Sequence, residues 1–296
     1  MKWLAIVNPF SGGGRSSSHI SQILRGLRRL HPEFVATKGP GHAEQLARGA
    51  SDYDGLAVMG GDGTVLEVLN GMDCQRQRLA IIPAGTGNSL ARDLGLLSIT
   101  DGVDAIEEEQ LVRIDLMSVT FQNKDGMRER LSASTFALGY PAAATKTANG
   151  HLKGLGKFCY PAAAAVEALF QKKFQARLAY DRGVPESKSL TGLILSNTRY
   201  VGNFLAFPKA SLQDGSFDVV ELNADFWRQN FHNLAVLAKR YSYLPTLPKS
   251  AASLLLRLES PQDLMIDGEI YPGIVHAEIR VSPKKLTCYQ KGRSLS

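Results

Sequence analysis

The stretch Leu56-Ala57-Val58-Met59-Gly60-Gly61-Asp62-Gly63-Thr64, with Glu67 and Asn70-Gly71 just behind it, decides how the chain is read. A short apolar run gives way to glycines and then to a helical pattern. The glycines remove side chains, so backbone N–H groups can close on a phosphate. The helix behind them turns its positive end toward the same anion. Asp62 is a lone carboxylate where an anionic ligand would lie, which suits a metal-holding or proton-accepting role. Thr64 is a short hydroxyl at the helix start, able to donate or to cap. A plain strand-to-helix turn capped by Asp62 accounts for the same residues, because glycine-rich turns are common punctuation.

The flanking sequence repeats this grammar. Trp3–Val7 reads as a buried strand and Asn8-Pro9-Phe10-Ser11-Gly12-Gly13-Gly14-Arg15 as a loop. Ser16–Ser18 supply caps, and Ile20, Ile23, Leu24, Leu27 and Leu30 recur at helical spacing. Glu33–Thr37 is a second strand and His42–Ala50 a short helix. Leu79–Ile82 is a fourth strand, running into Pro83-Ala84-Gly85-Thr86-Gly87-Asn88 and a helix marked by Leu90, Ala91 and Leu94. Strand, loop and helix in repetition imply a parallel, doubly wound α/β sheet. In such a sheet the loops after the strands share one edge, where ligands bind. Three of these loops are rich in Gly, Ser, Thr and Asn, which favours a phosphate site over a turn.

The arrangement is not a P-loop, because Gly-x4-Gly-Lys-Ser/Thr is absent. It is not a dinucleotide fingerprint either, because the first loop's glycines are adjacent and no acid closes the second strand. Three blocks carry a resemblance: Asn8-Pro9-x-Ser11-Gly12; Gly60-Gly61-Asp62-Gly63-Thr64-x-x-Glu67-Val68-x-Asn70-Gly71; and Pro83-x-Gly85-Thr86-x-Asn88-x-x-Ala91-Arg92-x-Leu94-Gly95. In order and spacing they resemble the diacylglycerol kinase catalytic-domain family, which includes bacterial lipid kinases and the diacylglycerol, sphingosine and ceramide kinases. Gly-Gly-Asp-Gly alone is shared with NAD kinases and, loosely, phosphofructokinases. Ser89-Leu90 departs from the Asp-Phe that many bacterial members carry there.

The second half reads differently. Val103, Ile106 and Leu111 carry a short helix into the strand Val112–Met117, with Asp115 between apolar neighbours. Asn123-Lys124-Asp125-Gly126 is a hairpin turn. Leu131–Gly139, Phe174–Tyr180, Leu190–Ser196, Phe217–Leu222, Ser253–Leu258, Asp263–Ile266, Val275–Val281 and Leu286–Gln290 read as short strands. Lys157–Phe170 and the stretch holding Trp227, Phe231, Leu234, Leu237 and Ala238 read as helices. The expected organisation is a nucleotide-binding α/β domain over residues 1–118 and a β-rich sandwich over 119–296, whose last strand returns to the first domain as in the family.

The resemblance implies a function and assigns residues to it. ATP would lie along the loop edge, with Asn8, Ser11, Gly12, Thr37 and Thr86 as contacts. The run Gly61, Asp62, Gly63, Thr64, Val65, Leu66 and Glu67 belongs to the same nucleotide site. Mg2+ would be held by Asp214 with the carbonyls of Ser211 and Ser216, an oxygen set that suits this ion. Glu269, in Ile266-Asp267-Gly268-Glu269, would take the proton of the acceptor hydroxyl, with Asp62 as the rival base. The acceptor would be a lipid such as diacylglycerol or a related glycero- or sphingolipid, entering between the domains.

Composition fits this reading. The 296 residues are 44% hydrophobic and 21% charged, with net charge +6, and the pI is near 9.2. A positive balance suits nucleic acid, an anionic membrane surface or a polyanionic substrate without choosing among them; no basic block suggests a nucleic-acid tail, and the resemblance implies a lipid at an anionic membrane surface with no nucleic acid. Three widely spaced cysteines fit a reducing compartment and neither a disulfide framework nor a zinc site. The start is too short in apolar run for a signal peptide, and no run is long enough to span a bilayer. A cytoplasmic protein peripheral to the membrane is expected, and a homodimer is compatible with this. Two other functions share these features: an NAD kinase-type transferase acting on a soluble acceptor, and a catalytically silent lipid-binding module. The Asn-Pro-x-Ser-Gly start and the late Asp-Gly-Glu speak against the first; the retained Asp62, Asp214 and Glu269 speak against the second.

Overall fold

The computed structural model describes residues 1–12, 27–150, 159–202, 204–223, 225, 227–231 and 248–291. They form two compact units, Met1–Leu116 with Ser282–Ser296, and Met117–Val281.

In the first unit β1 (Trp3–Val7), β2 (Glu33–Ala36), β3 (Gly55–Gly60) and β4 (Arg78–Pro83) are parallel, in the order β2-β1-β3-β4. Every residue of β3 is buried, as a parallel strand covered on both faces requires. Helices α1 (His42–Arg48) and α2 (Asp62–Gly71) precede β3 and β4, and α3 (Ser89–Asp93) and α4 (Ile99–Glu107) follow. β2 lies on one side of β1 and β3 on the other, so the winding reverses between β1 and β3. Loops leaving the carboxyl ends of such a pair diverge and open a crevice. Of the helix read between β1 and β2, Leu27–Leu30 forms a 3-10 turn; Ser16–Ser18, Ile20, Ile23 and Leu24 lie outside the described residues.

Residues from far along the chain complete this unit. Thr287 and Cys288 pair parallel with Arg78 and Leu79. The Tyr289 ring stands 5.8 Å from that of Trp3. Lys291 Nζ lies 2.6 Å from an Asp101 oxygen and 3.0 Å from an Asp104 oxygen. Asp115, only 1% exposed, meets Lys285 Nζ at 2.8 Å. Its carboxylate is therefore matched inside the unit by a cation.

β5 (Leu111–Asn123) leads into the second unit and pairs with β6 (Gly126–Ser132) across the Asn123–Gly126 hairpin. Leu111 opens this strand and does not belong to the helix before it. Where the sequence predicts one strand over Leu131–Gly139, the structure has β6 and then β7 (Thr135–Gly139). The break at Ala133-Ser134 turns backbone N–H groups onto Asp267. After β7 comes α5 (Tyr140–Gly150), a helix the strand-like reading misses although Pro141 stands in its first turn, where proline is tolerated. Then follow α6 (Cys159–Phe170), β8 (Phe174–Tyr180), β9 (Glu186–Leu190), β10 (Gly192–Ser196), β11 (Phe217–Leu222) and β12 (Lys249–Ala251). Leu190 and Ser196 thus end two strands, interrupted at Thr191. Residues 227–231 are helical; Leu234, Leu237 and Ala238 lie outside the described residues.

The four short late strands predicted from the sequence are two long ones, β13 (Ser253–Ile266) and β14 (Glu269–Tyr289). Ser260 and Pro261 interrupt the pattern without ending the strand, because register shifts between Arg257 and Leu264 absorb them. The first half of β13 pairs with β8 and its last residues pair with β7. This long hairpin therefore serves two sets of strands in the β-rich unit.

The hairpin turns on Asp267-Gly268, with φ of 45° and 93°. Two positive φ values make a two-residue turn that matches strand twist, which is why Asp-Gly occupies it. The Asp267 side chain is buried. It accepts from Thr135 N at 2.6 Å, Ser132 Oγ at 2.8 Å, Ala133 N at 3.0 Å and Ser134 N at 3.2 Å. Burial pushes its carboxyl above the usual range, and these four donors pull the other way.

Asp267→Ala should lower unfolding free energy by about 3 kcal/mol in urea denaturation, because it strands four buried donors. An unchanged midpoint would show that water replaces the carboxylate at no cost. Cys74, Cys159 and Cys288 are buried and free; burial pushes the Cys74 thiol up to about 11 and raises Cys288 as well. A thiol reagent at pH 8 should modify none of the three in the native protein and all three once it unfolds, as counted by mass spectrometry.

Candidate active site

Three loops after parallel strands meet in the first unit. Asn8, following β1, donates from Nδ2 to Thr64 Oγ1 at 2.9 Å. Its own Oδ1 accepts from Phe10 N at 3.0 Å, which shapes the first loop. Gly12, with φ of 62°, lies so close to the third loop that a Cβ there would come 2.5 Å from the Ala84 oxygen. Gly61 and Gly85 abut: a Cβ on Gly85 would fall 2.5 Å from Gly61 Cα. Only glycine permits that approach. The first loop thus reaches both of the others, and the second and third touch directly.

Asp62 provides the strongest tie. Its two carboxylate oxygens accept from Asn88 N at 2.8 Å and Ser89 N at 2.7 Å. The group read from the sequence as a carboxylate without a partner therefore caps α3 and fixes the third loop. Asn88, in the left-handed region with φ of 57°, closes that loop on itself. Its Oδ1 accepts from Gly85 N at 3.1 Å and its Nδ2 donates to Gly85 O at 2.8 Å. Asn88 and the Ser89 N–H are the contributors that the sequence reading did not assign. The Pro-x-Gly-Thr-x-Asn block held the signal, since Asn in a glycine turn readily closes such a loop.

The first turn of α2 stands among these loops. The first backbone bond of this helix runs from Val65 N to Gly61 O at 3.1 Å, so the N–H groups of Asp62, Gly63 and Thr64 stand before the ladder begins. Such N–H groups, with the helix dipole behind them, suit a phosphate. Val65 and Leu66 are 8% and 2% exposed, so their side chains belong to the core and only their backbone bears on the site. Glu67 turns elsewhere: its two oxygens accept from Gly41 N at 2.8 Å and Ala43 N at 3.0 Å, capping α1. Thr37 is buried just past β2 and donates its N–H to Val7 O at 2.8 Å. Ser11 donates its N–H to Asn8 O at 3.3 Å, and Thr86 is exposed at the tip of the third loop.

The remaining candidates belong to the second unit. Asp214 is exposed and its Oδ1 accepts from both the N–H and the hydroxyl of Ser216, each at 3.0 Å. Ser211 Oγ accepts from Gln213 N at 3.3 Å. Asp218 lies near enough that burial, and then the Asp214 charge, push its carboxyl up. Two neighbouring carboxylates beside a carbonyl-bearing turn make an oxygen-only donor set, and a hard divalent cation fits such a set. Among the described residues no group of three or more His, Cys, Asp and Glu side chains converges on a metal position. Glu269 follows the Asp267-Gly268 turn and accepts from Tyr271 OH at 3.3 Å. Burial and the Glu269 charge push the Tyr271 hydroxyl up to about 12, against the pull of Arg130. The Tyr271 ring packs on Phe121 at 5.0 Å.

The chain is similar to known proteins in both sequence and fold. A model of the diacylglycerol kinase catalytic domain matches residues 2–119. A diacylglycerol kinase of Staphylococcus haemolyticus is 28% identical over 274 residues, 89% of this chain and 81% of its own. A diacylglycerol kinase of Mycobacterium tuberculosis is 30% identical over 235 residues, 76% of this chain and 74% of its own. A solved diacylglycerol kinase of Bacillus anthracis gives a TM-score of 0.79 over 98% of this chain and 96% of that one, at 22% identity. An NAD kinase of Archaeoglobus fulgidus, solved in complex with ATP, gives 0.54 over 98% and 94%, at 16% identity. At these identities the two structures show a shared fold: a parallel α/β unit with a strand-rich second part. With identity sustained across most of both chains, and with the three loop blocks in place, this chain belongs to the diacylglycerol kinase family.

Proposed function

We propose that this chain is an ATP- and magnesium-dependent lipid kinase, transferring the γ-phosphate of ATP to a hydroxyl of diacylglycerol or a related glycero- or sphingolipid. The observation that carries the reading is the cluster of loops after β1, β3 and β4, tied together around the glycine-rich first turn of α2. Backbone N–H groups of Gly61–Thr64, with Asn8, Ser11, Gly12, Thr37 and Thr86 around them, would hold the nucleotide. Kinship with proteins named diacylglycerol kinase supports a lipid acceptor.

Phosphoryl transfer depends on positioning and charge neutralisation rather than on a covalent nucleophile. The lipid oxygen bonds to the γ-phosphorus as the bond to the β–γ bridging oxygen breaks, and ADP leaves. The hydroxyl proton goes to a carboxylate. Glu269 suits that task better than Asp62, because both Asp62 oxygens already accept from the third loop. Asp62 would instead keep the loops in position around the phosphates. Asp214, with the carbonyls of Ser211 and Ser216, would hold magnesium, which when bound supplies positive charge against the phosphates.

Incubation with labelled ATP and a panel of diacylglycerol, a sphingoid base, ceramide, phosphatidylglycerol and NAD tests the function. A labelled lipid is expected, and label in NAD alone would assign the chain to the soluble-acceptor class. Glu269→Gln should lower kcat by roughly a hundredfold or more with ATP binding retained, the range of a general base. A fall of only a few-fold would move proton transfer to another group. Asp62→Asn removes one of its two acceptor oxygens. It should cut kcat/KM by about tenfold to a hundredfold with far-UV circular dichroism unchanged, the size of one charge-assisted hydrogen bond.

A further inference from the structure

Helix α6 is turned with its apolar side outward. Ala162, Ala165, Val166, Leu169 and Phe170 recur at i, i+3, i+4, i+7 and i+8, a continuous stripe along one face. Val166, Leu169 and Phe170 are 43%, 60% and 67% exposed. The inward face is made of small residues, Cys159, Ala163 and Ala168, which are buried. Cys159 and Ala163 pack with Ala148 of α5. Glu167, the one charged residue of this helix, is half-buried and accepts from the Thr147 hydroxyl. A surface helix ordinarily shows its charges to water and hides its apolar stripe; here the two are exchanged.

Charge gathers where the stripe ends. Lys172 and Lys173 follow one residue beyond the helix end and are exposed. A cleft of about 310 Å³ opens at the same end, with Phe170 and Lys172 on its wall beside Tyr140 and Asp263. Apolar patches of this continuity are uncommon on the surface of a soluble protein and mark a partner. The stripe offers no side-chain donor or acceptor, which suits acyl chains; at its end Asp263 is paired with Lys146 and Glu167 with the Thr147 hydroxyl, and the exposed Lys172 and Lys173 suit anionic headgroups. No described helix is long and apolar enough to cross a membrane.

We propose that the outward face of α6, with Lys172 and Lys173, docks on an anionic phospholipid bilayer. The helix lies in the headgroup region with Val166, Leu169 and Phe170 immersed, and the two lysines hold the phosphates beside them. The choice of a bilayer over a second protein rests on the lipid-kinase reading.

The test uses the full chain and sedimented vesicles of phosphatidylglycerol and phosphatidylcholine, without ATP or acceptor. Wild type is expected to co-sediment. Leu169→Glu with Phe170→Glu should reduce partitioning at least tenfold. Lys172→Glu with Lys173→Glu should weaken it by roughly fivefold per lysine on anionic vesicles at low salt and leave pure phosphatidylcholine unaffected. Both variants alter exposed residues only, so phosphorylation of a short-chain acceptor below its micellar concentration should match wild type. Undiminished vesicle binding by both variants, or no binding by wild type, overturns the docking surface. A dimer that dissociates in the Leu169/Phe170 variant, without loss of vesicle binding, also overturns it by assigning the face to a second copy. If no lipid is phosphorylated under any condition yet the variants lose vesicle binding, the kinase reading falls and the docking surface stands.

Discussion

The carboxylate of Asp62 joins two loops that no strand pairing could hold together. One oxygen accepts from Asn88 and the other from Ser89, each through a charge-assisted bond of less than 3 Å. Gly61 and Gly85 can then lie against each other with no side chain between them. The Asn8–Thr64 hydrogen bond adds the first loop. The two bonds to the Asp62 carboxylate contribute on the order of 2 kcal/mol each, and the neutral Asn8–Thr64 bond about 1 kcal/mol. What they determine together is the arrangement of the three loops. A cradle whose donors are fixed in advance spends little free energy on reorganisation when charge arrives.

The second unit keeps an equivalent device inside its sheet. Asp267 is surrounded by Ser132, Ala133, Ser134 and Thr135, and Ser134 reaches on to Thr198 at 2.9 Å. A buried acid with that many donors would cost stability if any donor were lost, and while they are present it specifies one position for the hairpin. Glu269 follows two residues later, and Tyr271 two further on, with its ring held against Phe121. The candidate base thus stands on a rigid turn rather than on a mobile loop.

The first unit was largely legible in the sequence, because β1, β3 and β4 are runs of apolar residues ended by asparagine, glycine and proline. Those residues dictate their own local conformation. What spacing alone does not show depends on contacts between distant parts of the chain. Glu67 reads as a nucleotide contact within its block, yet its oxygens cap α1 through Gly41 and Ala43. No local pattern announces that bond. The late strands looked separate because Pro261 and Pro283 break their periodicity, and only pairing with neighbours shows that β13 and β14 run on through them. α5 was missed because its run of alanines and threonines carries little periodic contrast. Asp115 pointed inward as its apolar neighbours suggested, but the cation it meets, Lys285, lies too far along the chain for spacing to reveal.

The return of residues 287–291 to the first unit bears on how the protein is made. β4 ends at Pro83, and its outer neighbour is Thr287-Cys288. Trp3 waits for Tyr289, Asp101 and Asp104 for Lys291, and the buried Asp115 for Lys285. During synthesis the parallel α/β unit is therefore begun before the β-rich unit and completed after it, with an open sheet edge and an unmatched acid while residues 117–281 emerge. Chains translated at about 5–20 residues per second hold that incomplete state for many seconds. The intervening unit closes on residues of its own, so it is the part equipped to fold first, and the site-bearing unit becomes whole only after it.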